Sequence, residues 1–365
     1  MRQTPLAIDV TGIGMVTAVG HDAMTACAAI RAGLSRPAEL AGSSSYDLAA
    51  AKKVPLTGHP VEPITNGFTG VARWLQLLPR AFHDLVRHAE LPPARDRGFW
   101  SSTAVQLLLP DLEEVRFAHD ERSRPATIHQ HLLAPLLRQL PNTLAPERVL
   151  VQTVDRIGLA LVLEGYAAML GTLGAERVIV LAVDSYTCPF ALDWLGSVGR
   201  LKSDLNPVGL MPGEAAAALL LEPSRRGSRR ERPPWAQLIQ VTTGQDGHID
   251  DPDAAPRGRV LADVMRPLLS DDTGDVHHDL NGEVWRAREY GNALVELAPR
   301  GLGPAKLHHH ASEIGDTGSV AFVVATALAA RSLQRGYARR RDVAAFTSCE
   351  TGEIGGVLLR RNEGG

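Results

Sequence analysis

Short apolar runs bounded by glycine alternate with helix-length amphipathic stretches along this chain, and the alternation occurs twice, on either side of a polar seam. That grammar restricts the fold to an α/β architecture with buried strands, since runs of four to eight apolar residues flanked by turn formers suit strands covered on both faces. In the first half the clearest strands are Ala7 to Val10, Arg148 to Thr153, Arg177 to Val183 and Ala216 to Leu221. Gly158 to Leu173 is apolar on more than one side, which predicts a helix covered by neighbours all round. The seam, Pro223 to Pro234, is rich in arginine, serine and proline and lacks apolar periodicity, so it reads as a solvated linker rather than an anion-binding patch. Beyond it the pattern resumes, with a strand at Ala236 to Thr243, helices at Arg257 to Leu269 and Asp316 to Leu333, and strands at Val343 to Thr347 and Gly356 to Arg360. The expected organisation is a first half over 1–223, a linker over 224–234 and a second half over 235–365. The stretch from Ser35 to Pro146 is less regular and reads as an insertion or cap on the first half.

Composition narrows the function classes. A chain of 365 residues, 44% hydrophobic and 22% charged, is long enough for two core-bearing units. Its net charge of -3 offers no electrostatic reason for nucleic acid or an anionic membrane to be the main partner. Cys27, Cys188 and Cys349 are odd in number, far apart and in no CxxC pair, so neither a disulfide framework nor a zinc knuckle is expected. Leu6 to Val10 is too short and too early for a signal peptide, and no run approaches the ~18 apolar residues of a membrane span. A cytoplasmic location is the expectation.

Three segments carry a more specific signal. They are the opening Thr11-Gly12-Ile13-Gly14-Met15-Val16-Thr17 with Gly20 and Ala32-Gly33, the stretch Gly199 to Glu222 with Arg200, Gly209, Gly213, Glu214 and Ala215 in register, and Ile314-Gly315-Asp316-Thr317-Gly318. Together they resemble the β-ketoacyl synthases. The resemblance implies a thiolase-like fold: two pseudo-symmetric halves in alternating α and β layers, usually a homodimer. In active members of that family a cysteine at a helix N-terminus is acylated, where the helix dipole favours the thiolate. Two histidines then assist decarboxylation and stabilise the enolate oxygen.

At all three of those positions this chain differs. A glycine three residues after the nucleophile and an acid ending the next strand correspond to Gly158 and Asp184, which puts Asp155 at the cysteine's place. Asn281, in Asn281-Gly282-Glu283, takes the first histidine's place, and Asp316, in Gly315-Asp316-Thr317, takes the second's. The family's lysine falls on Ala311, and Gly352 to Gly356 corresponds to its final glycine-rich turn. An acyl-aspartate would be an anhydride, too easily hydrolysed to serve as a condensation carrier, and no histidine remains at the mapped positions. The resemblance also implies that Asp155 and Asp316 lie close together. Two nearby carboxylates disfavour joint ionisation while helix N-termini pull the other way. A polar structural pocket is preferred over a new carboxylate-pair enzyme, because perturbed acids are also common in structural networks.

Other candidates are weighed in the same way. His308-His309-His310 offers only its outer two rings to one face of a strand, so a fortuitous cluster is preferred to a metal site. His277-His278-Asp279 could return a histidine to the pocket only through a shift of register. Cys188 and Cys349 read as packed residues rather than nucleophiles, and Arg339-Arg340-Arg341 as a cap on the preceding helix. No cofactor and no metal are expected. The favoured function is a ketosynthase-like pseudoenzyme acting through a protein partner or as a homodimer, as an accessory to type VI secretion effector loading or a non-catalytic partner of a ketosynthase. An acyl carrier or acyl thioester is a further candidate partner. The alternative is an acyltransferase or thioester hydrolase using Asp155 and Asp316 with His277, His278 or Cys349.

Overall fold

The computed structural model describes residues 1–47, 51–117, 124–204, 206–224, 233–247, 258–298 and 305–362. The first half contains β1 (Arg2–Thr17), α1 (Ala23–Arg31), the hairpin strands β2 (Ala38–Asp47) and β3 (Lys52–Gly58), α2 (Gly70–His88), β4 (Thr103–Leu109), β5 (Val149–Thr153), α3 (Gly158–Leu173), β6 (Arg177–Ser185) and β7 (Glu214–Pro223). The second half contains β8 (Ala236–Gln245), β9 (Thr273–His278), α4 (Val284–Leu297), β10 (Lys306–His308), α5 (Ala321–Gln334), β11 (Asp342–Ser348) and β12 (Glu353–Arg360). Most of the seam, 225–232, lies outside the described residues, as do the residues before 258 that would begin the helix expected from Arg257.

Ten of the strands form one sheet in the order β10-β9-β11-β12-β8-β1-β7-β6-β4-β5. With the hairpin set aside, each half contributes five strands, and from the outer edge inward both halves run third, second, fourth, fifth, first. The pairing senses repeat as well. The second strand is parallel to the third and fourth in each half, while the fifth is antiparallel to both its neighbours. The halves meet where β1 and β8 pair antiparallel. This is the pseudo-symmetry the sequence predicts.

One core cluster joins the halves through the central helices: Leu159, Ala160, Val162 and Leu163 of α3 share it with Phe322, Val323 and Ala325 of α5. Almost every residue of α5 is buried, which its run of alanine, valine, phenylalanine and leucine permits. The full burial expected of α3 is not found. Ala167, Ala168, Gly171 and Thr172, in its second half, are exposed.

The irregular stretch 35–146 supplies α2 and β4. β4 lies inside the sheet between β6 and β5 with every residue buried, and its Thr-Ala-Val-Gln-Leu-Leu-Leu sequence has no period to separate strand from helix. α2 buries Val71, Trp74, Leu77, Leu78, Ala81, Phe82 and Leu85 against β1 and β7. This explains Gly14 in the opening motif: a Cβ there would stand 2.1 Å from the Ala81 carbonyl oxygen. Asp84 of α2 then accepts hydrogen bonds from the Met15 and Ala23 amides at 3.0 and 2.7 Å, fixing β1 and the start of α1.

Candidate functional site

Three turns bring the mapped positions to one region: 154–157 between β5 and α3, 279–283 between β9 and α4, and 315–318 between the short helix Ala311–Ile314 and α5. Asp316 sits where the backbone is tightly packed. Its N–H donates to the Met211 carbonyl and its own carbonyl accepts from Gly213 N, both at 2.8 Å. A Cβ on Gly213 would stand 2.1 Å from the Ile314 oxygen, so that glycine of the central motif serves close approach.

The side chain at the centre is one that sequence reasoning passed over. Arg156, 3% exposed, donates from Nη2 to both carboxylate oxygens of Asp316 at 2.8 Å and from Nη1 to Asp279 Oδ2 at 3.2 Å. Asp279 also accepts from Arg286 and from Thr347 Oγ1, the latter at 2.7 Å. Asn281 Nδ2 reaches Asp316 Oδ2 at 2.6 Å and Glu283 Oε2 at 2.7 Å. Glu283 in turn is held by a two-pronged pair with Arg200, both contacts 2.7 Å, and Arg200 also meets Glu350. Arginine suits this role because its planar fork matches carboxylates and stays charged when buried.

Charge follows geometry. Burial pushes the Asp279 carboxyl up, but Arg286, the His278 ring and Arg156 outweigh it and hold it well below the usual carboxylate range. Burial likewise opposes ionisation of Asp316, and Arg156 first, then Arg286, Asn281 and the Gly318 N–H, bring it below its ordinary value. Two ionised carboxylates share one buried guanidinium.

The structure therefore brings Asn281 and Asp316 together and leaves Asp155 aside. Among the described residues no hydrogen bond or ion pair joins Asp155 to Asp316; its Oδ1 accepts from the Arg156 amide at 2.7 Å. The competition between two carboxylates expected from the sequence is replaced by neutralisation, because Arg156 points into the site and Asp155 away from its centre. Cys349 adjoins Asp155, and burial followed by that carboxylate pushes the thiol far above its ordinary pKa. A thiol so held is a poor nucleophile.

Asp184 closes the other side. It pairs with Arg116 through both oxygens, at 2.9 and 3.0 Å, and accepts from Ser319 N at 2.9 Å. Gly318, at φ +62°, leaves room for it: a Cβ would meet Asp184 Oδ2 at 2.1 Å. Glu214 is structural as well, accepting from Val61 N, Thr65 Oγ1, Arg73 Nε and Ser185 Oγ at 2.5–2.8 Å.

The remaining candidates disperse. His278 lies against Asp279 at 3.3 Å and edge-on to Tyr290, whereas His277 stacks on His308 and takes no part in the ion network. His308 bonds Asp275 at 2.8 Å and His309 bonds Ser312 at 2.8 Å. Arg339 and Arg340 reach Asp275 and Asp271 near β9 instead of capping α5, which ends short of them at Gln334. Cys188 is buried at the start of a short helix. An open pocket of about 530 Å³ borders the network, lined by Arg200, Glu283, Val284, Trp285 and Arg288. The Arg200–Glu283 pair stands between it and Asn281.

Sequence signals for Arg156, Arg116 and Arg286 were slight. Arg156 follows a mapped position immediately, and the acids it pairs with, Asp279 and Asp316, were both in view; what was missing is that it turns inward.

No protein-family model matches the chain, and no curated protein matches it. Solved structures do. A type II polyketide synthase structure, an acyl-carrier protein in complex with its ketosynthase, superposes with a TM-score of 0.73 at 12% identity, over 98% of this chain and 100% of that one. The ishigamide ketosynthase/chain length factor gives 0.71 at 16% identity, over 98% and 100%. The ketosynthase from module 6 of the bacillaene synthase of Bacillus subtilis 168 gives 0.72 at 12% identity, over 98% and 72%. The chain has the thiolase-like fold of the ketosynthases over 98% of its length.

Proposed function

We propose that this protein keeps a ketosynthase frame without condensing chemistry and acts by binding a protein partner. The observation that carries the reading is Arg156, whose guanidinium occupies the space between Asp279 and Asp316 and ties up both carboxylates. Acyl transfer to Asp155 would form a mixed anhydride, with no imidazole at the mapped positions to assist. A fixed internal ion network is a scaffold, and its surface is what remains available for function.

Two kinds of partner fit. One is a second copy of the chain, since β5 is an edge strand of sequence Val-Leu-Val-Gln-Thr, without lysine or proline. Such an edge invites pairing. The other is an acyl-carrier protein or active ketosynthase; a solved structure similar to this chain is a ketosynthase in complex with its acyl-carrier protein. The test is to titrate immobilised protein with the holo acyl-carrier proteins and ketosynthases of its own host. Saturable binding to one of them, unchanged by Asp155→Ala, and a dimer mass in light scattering are expected; no saturable binding to any would overturn the proposal.

One observation favours a second reading, that of a thioester hydrolase. Burial, opposed by Arg116 and reinforced by Asp184 and Asp155, pushes the Glu114 carboxyl up to about 7. That carboxyl is held by Arg116, from Nε to Oε2 at 2.7 Å and from Nη2 to Oε1 at 3.2 Å, so general acid-base work by Glu114 would require a substrate to displace the pair.

A further inference from the structure

A second cavity, of about 760 Å³, lies between β9, β10, α1 and the later half of α5, and its lining residue His310 is near enough to feel the charges of the Arg156 network. Its wall is built by register: His277 and His308 are cross-strand neighbours on β9 and β10, and their rings stack at 4.8 Å and 15°. His310 also lines it. This side chain is 3% exposed, and its Nδ1 has no hydrogen-bond partner. A buried ring nitrogen without a partner, in a residue that lines a cavity, has capacity for a ligand atom or water.

The other walls define what such a ligand must be. Leu307, Leu328 and Ile30 give an apolar side, to which the Cys27 thiol, pushed to about 12 by burial, adds no charge. Arg31, Lys306 and Arg339 provide three cations at the cavity against two acids, Asp275 and Glu313. Asp275 is already engaged, accepting from His308 Nε2 at 2.8 Å and from the Arg339 amide at 2.7 Å. The unanswered charge is therefore positive. A metal ion does not fit: among the described residues the one grouping of ligand atoms close enough to share an ion is Asp22, Asp84 and His88, elsewhere.

We propose that this cavity is a binding site for a small organic carboxylate with a short apolar tail, its head met by Lys306, Arg339 and the histidine nitrogens and its tail laid along Leu307, Leu328 and Ile30. Affinity needs both ends. A neutral tail leaves the cations unanswered, and a free phosphate leaves the apolar wall wet.

Isothermal titration calorimetry of the full chain with octanoate, octanol and inorganic phosphate tests this. Octanoate is expected to bind at least tenfold more tightly than either of the others, and Lys306→Glu and Leu328→Trp are each expected to weaken it at least tenfold. Should Leu328→Trp fail to fold, the wild type decides: the imidazole NMR signals of His277 and His310 must shift on adding octanoate. Absence of octanoate binding, equal affinity for phosphate, binding that survives both substitutions, or unmoved His277 and His310 signals would each overturn the proposal.

Discussion

Arg156→Met is expected to lower stability by about 3–5 kcal/mol, the usual range for removing one partner of a buried ion pair. The loss comes from what stays behind. Asp279 and Asp316 are nearly inaccessible, and without the guanidinium the hydrogen bonds left to Asp316 among the described residues are those from Asn281 and the Gly318 amide, while Asp279 keeps Arg286 and Thr347. Adding Asp316→Asn to Arg156→Met should therefore recover part of the loss, because it removes one uncompensated carboxylate. Urea denaturation read as a shift in midpoint at constant slope measures both. A loss below about 1 kcal/mol for the single substitution would mean that Arg156 is not held in the buried pair.

Acidification from pH 7.5 to pH 5.5 should destabilise the fold by up to about 2 kcal/mol, and buried histidines set the sign. Burial lowers His59 and His310 to about 4 and His277 to about 3, with the nearby His308 also acting on His277. The unfolded chain takes up protons near pH 6.5 that the folded chain refuses. Stability is thus complete above that value and falls, by about 1.4 kcal/mol per histidine per pH unit, until the folded values are reached. Glu114 works the other way. Its folded value of about 7 lies above the ordinary carboxyl value of 4.5, so its contribution is present below 4.5 and lost as pH rises towards 7. Burial also raises Glu313, Glu350 and Glu353, which act in the same sense as Glu114, so the three histidines leave a net loss smaller than their sum. Asp279 and Asp316, both held low, add to it only in stronger acid, below the range of ordinary carboxylates. Denaturation curves at the two pH values decide the matter: equal or greater stability at pH 5.5 would show that these imidazoles are not buried neutral.

Much of the frame was legible in the chain itself. The helix Gly158–Leu173 has the bounds its apolar run indicates, and the strands on either side of the seam fall where glycine-bounded runs place them. Asn281 and Asp316 meet in the ion network, whereas Asp155, which the family resemblance implies lies close to Asp316, makes no hydrogen bond or ion pair to it among the described residues. What escaped was of two physical kinds. β4 has no hydrophobic period, so its place inside the sheet depends on partners that the local sequence does not specify. Arg156 owes its inward orientation to carboxylates 123 and 160 positions away, and a charged residue beside a turn ordinarily reads as solvated. The exposed end of α3 is the reverse case, since apolar composition indicates that a surface is to be covered without saying whether by the same chain or by another.

Intact-protein mass spectrometry after incubation with acyl and malonyl thioesters, combined with assay of released carbon dioxide, tests the loss of condensing chemistry most directly. The predicted result is an unmodified mass and decarboxylation no faster than in protein-free buffer. An acyl adduct, or decarboxylation abolished by Asp155→Ala in a protein that still folds, would contradict it.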